Sequence, residues 1–189
     1  MRKLLEWVRH APIISLIVAV IVGVVVGVPV VDGVDHYFSS NAFCATGCHV
    51  MDATVNAELK QSTHGTSPAG VHPRCADCHL SDNLAVAMWQ HTKGLTELYA
   101  FTIGGIRTAE DFEKVRVEAA DRTRLWMLAN DSAGCRGCHV MEEIKPEKKR
   151  GQNQHAQALK DGTTCIACHY NLVHKEVEPS ERFLKRTGL

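Results

Sequence analysis

Eight cysteines stand in four pairs, and a histidine follows each pair at once: Cys44/Cys48/His49, Cys75/Cys78/His79, Cys135/Cys138/His139 and Cys165/Cys168/His169. No cysteine is left over. Residues three or four apart on a helical turn share a face, so two thiols at this spacing can grip one edge of a flat ring. CxxCH is the attachment signature of c-type haem, in which the thiols bond the porphyrin vinyl groups and the imidazole is placed under the iron. Four such runs imply four haem c groups and an electron carrier.

Three motifs keep two residues between the cysteines. The first has three, Ala45-Thr46-Gly47, which still puts both sulfurs on one face but shifts Cys44 relative to His49. The first haem is expected to sit differently. Structural zinc and a disulfide framework are the competing readings. Zinc ribbons have no need of histidine directly after every pair, and at a histidine frequency of about 0.06 four such coincidences have a chance of roughly 1 in 100,000. Vicinal CxxC pairs in a chain this long are seldom structural staples.

Iron in an electron carrier is usually six-coordinate, so four irons want four ligands beyond the motif histidines His49, His79, His139 and His169. Seven histidines lie outside the motifs. His64 and His155 hold matching places in a repeat, and His174 lies five residues past the last motif. These three are the favoured ligands; His36, His72 and His91 read as solvated or structural, and His10 lies on the wrong side of the membrane.

The elements that must position these groups follow from the same repeat. Gly47-Cys48-His49-Val50-Met51 recurs as Gly137-Cys138-His139-Val140-Met141, and 30 residues separate His49 from His79 and His139 from His169. The exterior part therefore reads as a duplicated dihaem unit, with halves at about 40–82 and 130–175. The fold class is mainly α with little regular β: short helices carrying each motif, and porphyrins supplying the buried apolar area that a polypeptide with few aromatics lacks. Thr108-Ala109-Glu110-Asp111 predicts a helix start, with the helix running to about Ala129. Asn130-Asp131-Ser132 predicts a cap before the third motif. Asn83 to Ile106 is apolar with few charges; it reads either as a segment lying on a membrane surface or as a linker packed on haem. From Lys175 the chain is polar and reads as a peripheral tail.

Residues 11–31 form an uncharged run of about 31 Å as a helix, which matches a hydrocarbon core of about 30 Å. An uncleaved transmembrane anchor is expected. Arg2, Lys3 and Arg9 precede it and acids follow, so the positive-inside rule leaves residues 1–10 in the cytoplasm and sends 32–189 outward, a periplasmic haem domain on the inner membrane. Gly23 and Gly27 form a GxxxG that would let two spans approach as a homodimer; two glycines in a Val/Ile-rich span are the equal alternative. The 21 basic and 21 acidic residues balance, which argues against a nucleic-acid role.

The anchor, the four motifs and the strings CHVMDATVNAELKQSTH, GVHPRCADCHLS, ANDSAGCRGCH and KDGTTCIACHYNLVH resemble the NapC/NirT/NrfH family of tetrahaem quinol dehydrogenases, CymA-like members among them. The resemblance covers residues 1 to about 177. It implies oxidation of quinol beside the first haem and passage of electrons to a periplasmic reductase, with the quinone pool and a periplasmic redox protein as partners. It also implies that Met51 binds the first iron in place of His49, that His64 crosses to the fourth haem and His174 to the third; the repeat then hands His155 to the second. Quinol oxidation releases protons, so a base is needed; the resemblance makes Glu97 the match, with His91 where CymA-like members have lysine and Lys93 nearby but out of register. Two alternatives stay open: reversed flow, with a periplasmic oxidase such as hydroxylamine oxidoreductase reducing quinone, and a haem enzyme or gas sensor with an open first haem. The multihaem nitrite reductases use CxxCK, which no motif here matches.

Overall fold

The computed structural model describes the backbone of Arg2–Gly188 and the side chains from Ala11 onward. The side chains of Arg2, Lys3, Arg9 and His10 lie outside the described residues. The chain divides into two compact units, Met1–Phe38 and Ser39–Leu189. The first is one helix, α1 (Arg2–Phe38). Its apolar part, Ala11–Phe38, is long enough to cross a membrane, and its side chains are exposed all round, Leu16 at 64% and Val25 at 65%. A helix apolar on every face and covered by no protein suits lipid rather than a protein core. It runs past the expected Val31 through Asp32 and Asp35, because helical hydrogen bonding does not stop where hydrophobicity does.

The second unit is helical, with no strand among the described residues. In order come a π-helical turn (Ala42–Gly47), α2 (His49–Met51), a second π-helical turn (Asp52–Asn56), α3 (Ala57–Gln61), α4 (Cys75–His79), α5 (Leu84–Thr102) and α6 (Ala109–Ala129). Then follow α7 (Ala133–Arg136), a 3-10 turn (Met141–Glu143), α8 (Lys149–Asp161), α9 (Cys165–Cys168) and α10 (Glu181–Thr187). α6 starts where the sequence signals it: Thr108 Oγ1 accepts from Asp111 N at 3.2 Å while Asp111 Oδ2 accepts from Thr108 N at 3.2 Å, a reciprocal capping box. α5 is capped by Asn83 Oδ1, which accepts from Val86 N.

The C-terminal segment corrects an expectation. It is not a peripheral tail: Phe183 on α10 is fully buried and forms the core with Leu125 of α6 and Ile166 of α9, with Met127, Leu128 and Tyr170 packed around them. The rings of Tyr170 and Phe183 meet edge-on at 5.6 Å. A mostly polar stretch needs only one well-placed aromatic to dock, and here Ser180 Oγ accepts from Phe183 N and fixes the turn that delivers it.

That core is small. A compact chain of this mass exposes about 9,000 Å², whereas this one exposes 13477 Å². Part of the excess is α1; the rest is a second unit whose helices line surfaces rather than fill them.

Candidate functional site: four thiol pairs and three histidine pairs

The second and fourth motifs open short helices, α4 and α9, and the first cysteine of the third lies on α7. The first motif begins in the π-helical turn Ala42–Gly47, which carries Cys44; Cys48 follows it in an extended conformation and His49 opens α2. A π turn holds one more residue than an α turn, which accommodates the residue inserted between the two cysteines.

The motif turns are tied in pairs by residues three positions before a first cysteine. Asn41 Oδ1, three before Cys44, accepts from the backbone N of Cys75 at 3.2 Å. Ser132 Oγ, three before Cys135, accepts from Ile166 N at 3.0 Å and shares a 2.6 Å bond with Thr164 Oγ1. In both halves the lead residue of one motif thus caps the helix of the next. Asn130 does cap α7, accepting from Ala133 N at 3.3 Å, but Ser132, expected to help it, serves α9 instead; its left-handed backbone (φ 54°) and near-complete burial follow from that reach.

Between the halves α4 meets α7 backbone to backbone. A Cβ on Gly134 would stand 2.7 Å from the carbonyl oxygen of Asp77 and 3.0 Å from Cys78 Cα. Thiols of neighbouring motifs act on one another across these contacts. Burial pushes Cys44 up to about 11, with Cys75 adding to it. Burial likewise pushes Cys78 up to about 11, with Cys135 the next cause, and raises Cys135, with Cys165 the next. No two of the eight cysteines are joined in a disulfide, and among the described residues no three His, Cys, Asp or Glu side chains converge on one point.

The histidines instead meet in twos. Ring centres lie 6.2 Å apart for His64 and His139, 6.2 Å for His79 and His174, and 6.0 Å for His155 and His169. Two imidazoles bonded at about 2 Å to opposite sides of one metal ion have ring centres about 6 Å apart. Nδ1 of His64, His155 and His174 is buried without a hydrogen-bond partner. Thiol pairs beside imidazole pairs are the donor set of haem c, and the residues fit it.

The pairing is not the expected one. His64 meets the third motif rather than the fourth, His174 the second rather than the third, and His155 the fourth rather than the second. Close packing of α4 on α7 brings the chain after α3 to His139. The loop after α9 is turned towards His79 because Arg124 of α6 binds Asn171 Oδ1 at 2.6 Å and Val177 O at 2.7 Å. α8 then lies over its own motif.

At the first motif His49 has no imidazole opposite it among these pairs. Its Nε2 is bonded to the carbonyl oxygen of Arg107 at 2.9 Å. Met51 is half-buried, two residues along on α2. His91, Lys93 and Glu97 all lie on α5. His91 Nε2 bonds Ser39 Oγ at 3.3 Å, while exposed Glu97 reaches Arg122 of α6 at 3.5 Å. At 100° per residue these two point about 120° apart around the helix; Lys93 shares the Glu97 face.

Sequence reasoning missed Glu58 and Arg116. The Arg116 guanidinium, 7% exposed, donates to Glu58 at 2.7 and 3.1 Å and to Glu113 at 2.7 and 2.9 Å. Burial raises the Glu58 carboxyl, but bonds from Arg116 and Lys175 N bring it below its ordinary value. Nothing in the local pattern marks either residue, since they meet across 58 positions.

A model of the NapC/NirT cytochrome c family, N-terminal region, matches residues 8–179. The chain is 36% identical over 138 residues to the denitrification system component NirT of Stutzerimonas stutzeri, covering 72% of this chain and 68% of that one. It is 40% identical over 152 residues to a probable tetraheme cytochrome c-type protein of Nitrosomonas europaea, covering 78% and 63%. Against the cytochrome c-type protein NapC of Escherichia coli it is 36% identical over 148 residues, covering 75% and 74%. It thus spans about two thirds to three quarters of these relatives. No solved structure matches it.

Proposed function

The chain belongs to the NapC/NirT cytochrome c family, a family of multihaem electron-transport proteins, and on that premise we propose that it passes electrons between the membrane quinone pool and a periplasmic redox protein, in the direction from quinol to a reductase. Bound haem supplies one-electron redox chemistry at each motif. The protein's part is to hold four such groups close together and in order. Cys44/Cys48, Cys75/Cys78, Cys135/Cys138 and Cys165/Cys168 attach them; the observation that carries the reading is that successive thiol pairs adjoin while three of the four motif histidines face a second imidazole at ligand spacing.

His79 with His174, His139 with His64 and His169 with His155 would hold the irons of the second, third and fourth haems. At the first site Met51 would hold the iron. His49 is held off by its bond to the Arg107 carbonyl, and a thioether ligand raises the potential relative to bis-histidine ligation. α1 anchors the chain in the inner membrane. On α5, Val86, Trp89, Leu95, Leu98 and Tyr99 are exposed, an apolar surface suited to a lipid-soluble quinol.

Quinol gives up two protons with its two electrons. Glu97 is the carboxylate on α5 assigned to take a proton, with Lys93 on the same face as a hydrogen-bonding partner for the quinol oxygens; His91, on another face and bonded to Ser39, is not brought to it. The experiment is anaerobic addition of a quinol analogue to membranes holding the full chain. Reduction of four haems per chain is expected, slowed about a hundredfold or more by Glu97→Gln, the usual size for losing an acid–base group. No reduction by quinol contradicts the reading.

A further inference from the structure

The side chains behind His174 form a charged network that no electron carrier needs for attachment alone. Glu58 Oε2 lies 3.5 Å from His174 Nδ1. The same oxygen accepts from the backbone N of Lys175, the next residue, at 3.1 Å. Arg116 donates to both Glu58 oxygens, and Glu113 in turn binds Arg116 and Lys175 Nζ, the latter at 2.8 Å. A buried guanidinium shared by two carboxylates is costly to assemble and loses heavily if one partner goes. Eight residues along the same face of α6, Arg124 grips the far side of the same loop through Asn171 and Val177. Nδ1 of His64, His155 and His174 alike is buried without a hydrogen-bond partner, but among the described residues only His174 has a carboxylate within 4 Å of it.

We infer that Glu58 is a positioning residue for the second haem: held by Arg116, it anchors the backbone at Lys175 beside His174 and, as an anion 3.5 Å from Nδ1 of that ring, makes that haem harder to reduce than the other bis-histidine haems. The inference rests on the ligand reading above, His174 with His79. A carboxylate behind an imidazole ligand raises its basicity, and a more basic ligand favours the oxidised metal. Arg116 offsets part of that charge, so the two residues pull in opposite directions. A merely structural role for the network would not give opposite signs.

The test is a redox titration of the purified holoprotein followed by electron paramagnetic resonance. His174→Ala first identifies the couple by converting one low-spin signal to high-spin. The pair is separable because its ring planes are tilted by 38°, whereas the other two pairs stand at 85° and 78°. Glu58→Gln, which keeps a hydrogen-bonding side chain, is expected to raise the reduced-to-oxidised ratio of that couple at the wild-type midpoint by at least about threefold, where tenfold is about 59 mV for one electron. Arg116→Gln is expected to lower it, and Glu58→Asp, which keeps the charge, to leave it within about threefold. The other couples stay put. A shift of less than threefold in Glu58→Gln, or both charge variants moving the same way, overturns the inference while leaving the ligand reading intact. If His174→Ala leaves every low-spin signal in place, the ligand reading fails and the inference with it.

Discussion

The first and third motifs carry the same five residues, Gly-Cys-His-Val-Met, and the structure treats them differently. His139 faces His64 at 6.2 Å, and Met141 merely opens a 3-10 turn. His49 is bonded to a backbone carbonyl 58 positions away, while Met51 sits on the helix between two π turns. The string alone does not choose the ligand. The surrounding backbone differs: the first motif, with its inserted residue, begins in a π turn, and its imidazole bonds the Arg107 carbonyl before α6.

The sharpest way to break this contrast is to exchange ligands at the two sites. His139→Ala should abolish one bis-histidine signal, and Met51→Ala should alter the first haem alone. His49→Ala and Met141→Ala should leave ligation unchanged in low-temperature spectra. If His49→Ala converts a low-spin haem to high-spin, the contrast is gone.

The fourth motif also packs on an apolar core, where Ile166 meets Leu125 and Phe183. Phe183→Ala should cost about 3–5 kcal/mol, the usual range for a fully buried aromatic, measured by thermal unfolding with haem attached. A loss under about 1 kcal/mol would return the segment to the periphery.

The paired caps give a smaller and more symmetrical test. Ser132→Ala removes a buried bond to Ile166 N and should cost about 1–2 kcal/mol; Asn41→Ala, at an exposed site, should cost about 0.5–1 kcal/mol. Equal effects would mean that burial does not distinguish the halves.

Smallest is the acid limb. Bonds from Arg116 and then Lys175 hold Glu113 at about 2. Its folded value lies below the unfolded one, so its contribution is present above about pH 4.5 and fades as pH falls through about 2. The wild type should lose its advantage over Glu113→Gln across that window in acid unfolding, and a difference independent of pH would contradict it.

How much of this could be read from the chain follows the range of each interaction. The motifs, the apolar run and the Thr108 capping box depend on residues within a few positions, and they stand where the pattern puts them. Which imidazole meets which motif depends on α4 packing against α7 through Gly134 and on Arg124 turning the loop after α9. These are contacts between segments whose local patterns are mutually silent. The repeat misled for the same reason: His64 and His155 occupy matching places, yet His155 meets a motif of its own half and His64 crosses to the other. Phe183 escaped notice because one aromatic in a polar stretch carries no periodicity.

The most direct test of the central claim, that three imidazole pairs and one different site hold four irons, is electron paramagnetic resonance of the fully oxidised membrane protein, with haem counted by pyridine haemochrome. Four haems per chain are expected, three with bis-histidine low-spin signals and one distinct from them. Four alike bis-histidine signals, or fewer than four haems, would contradict it.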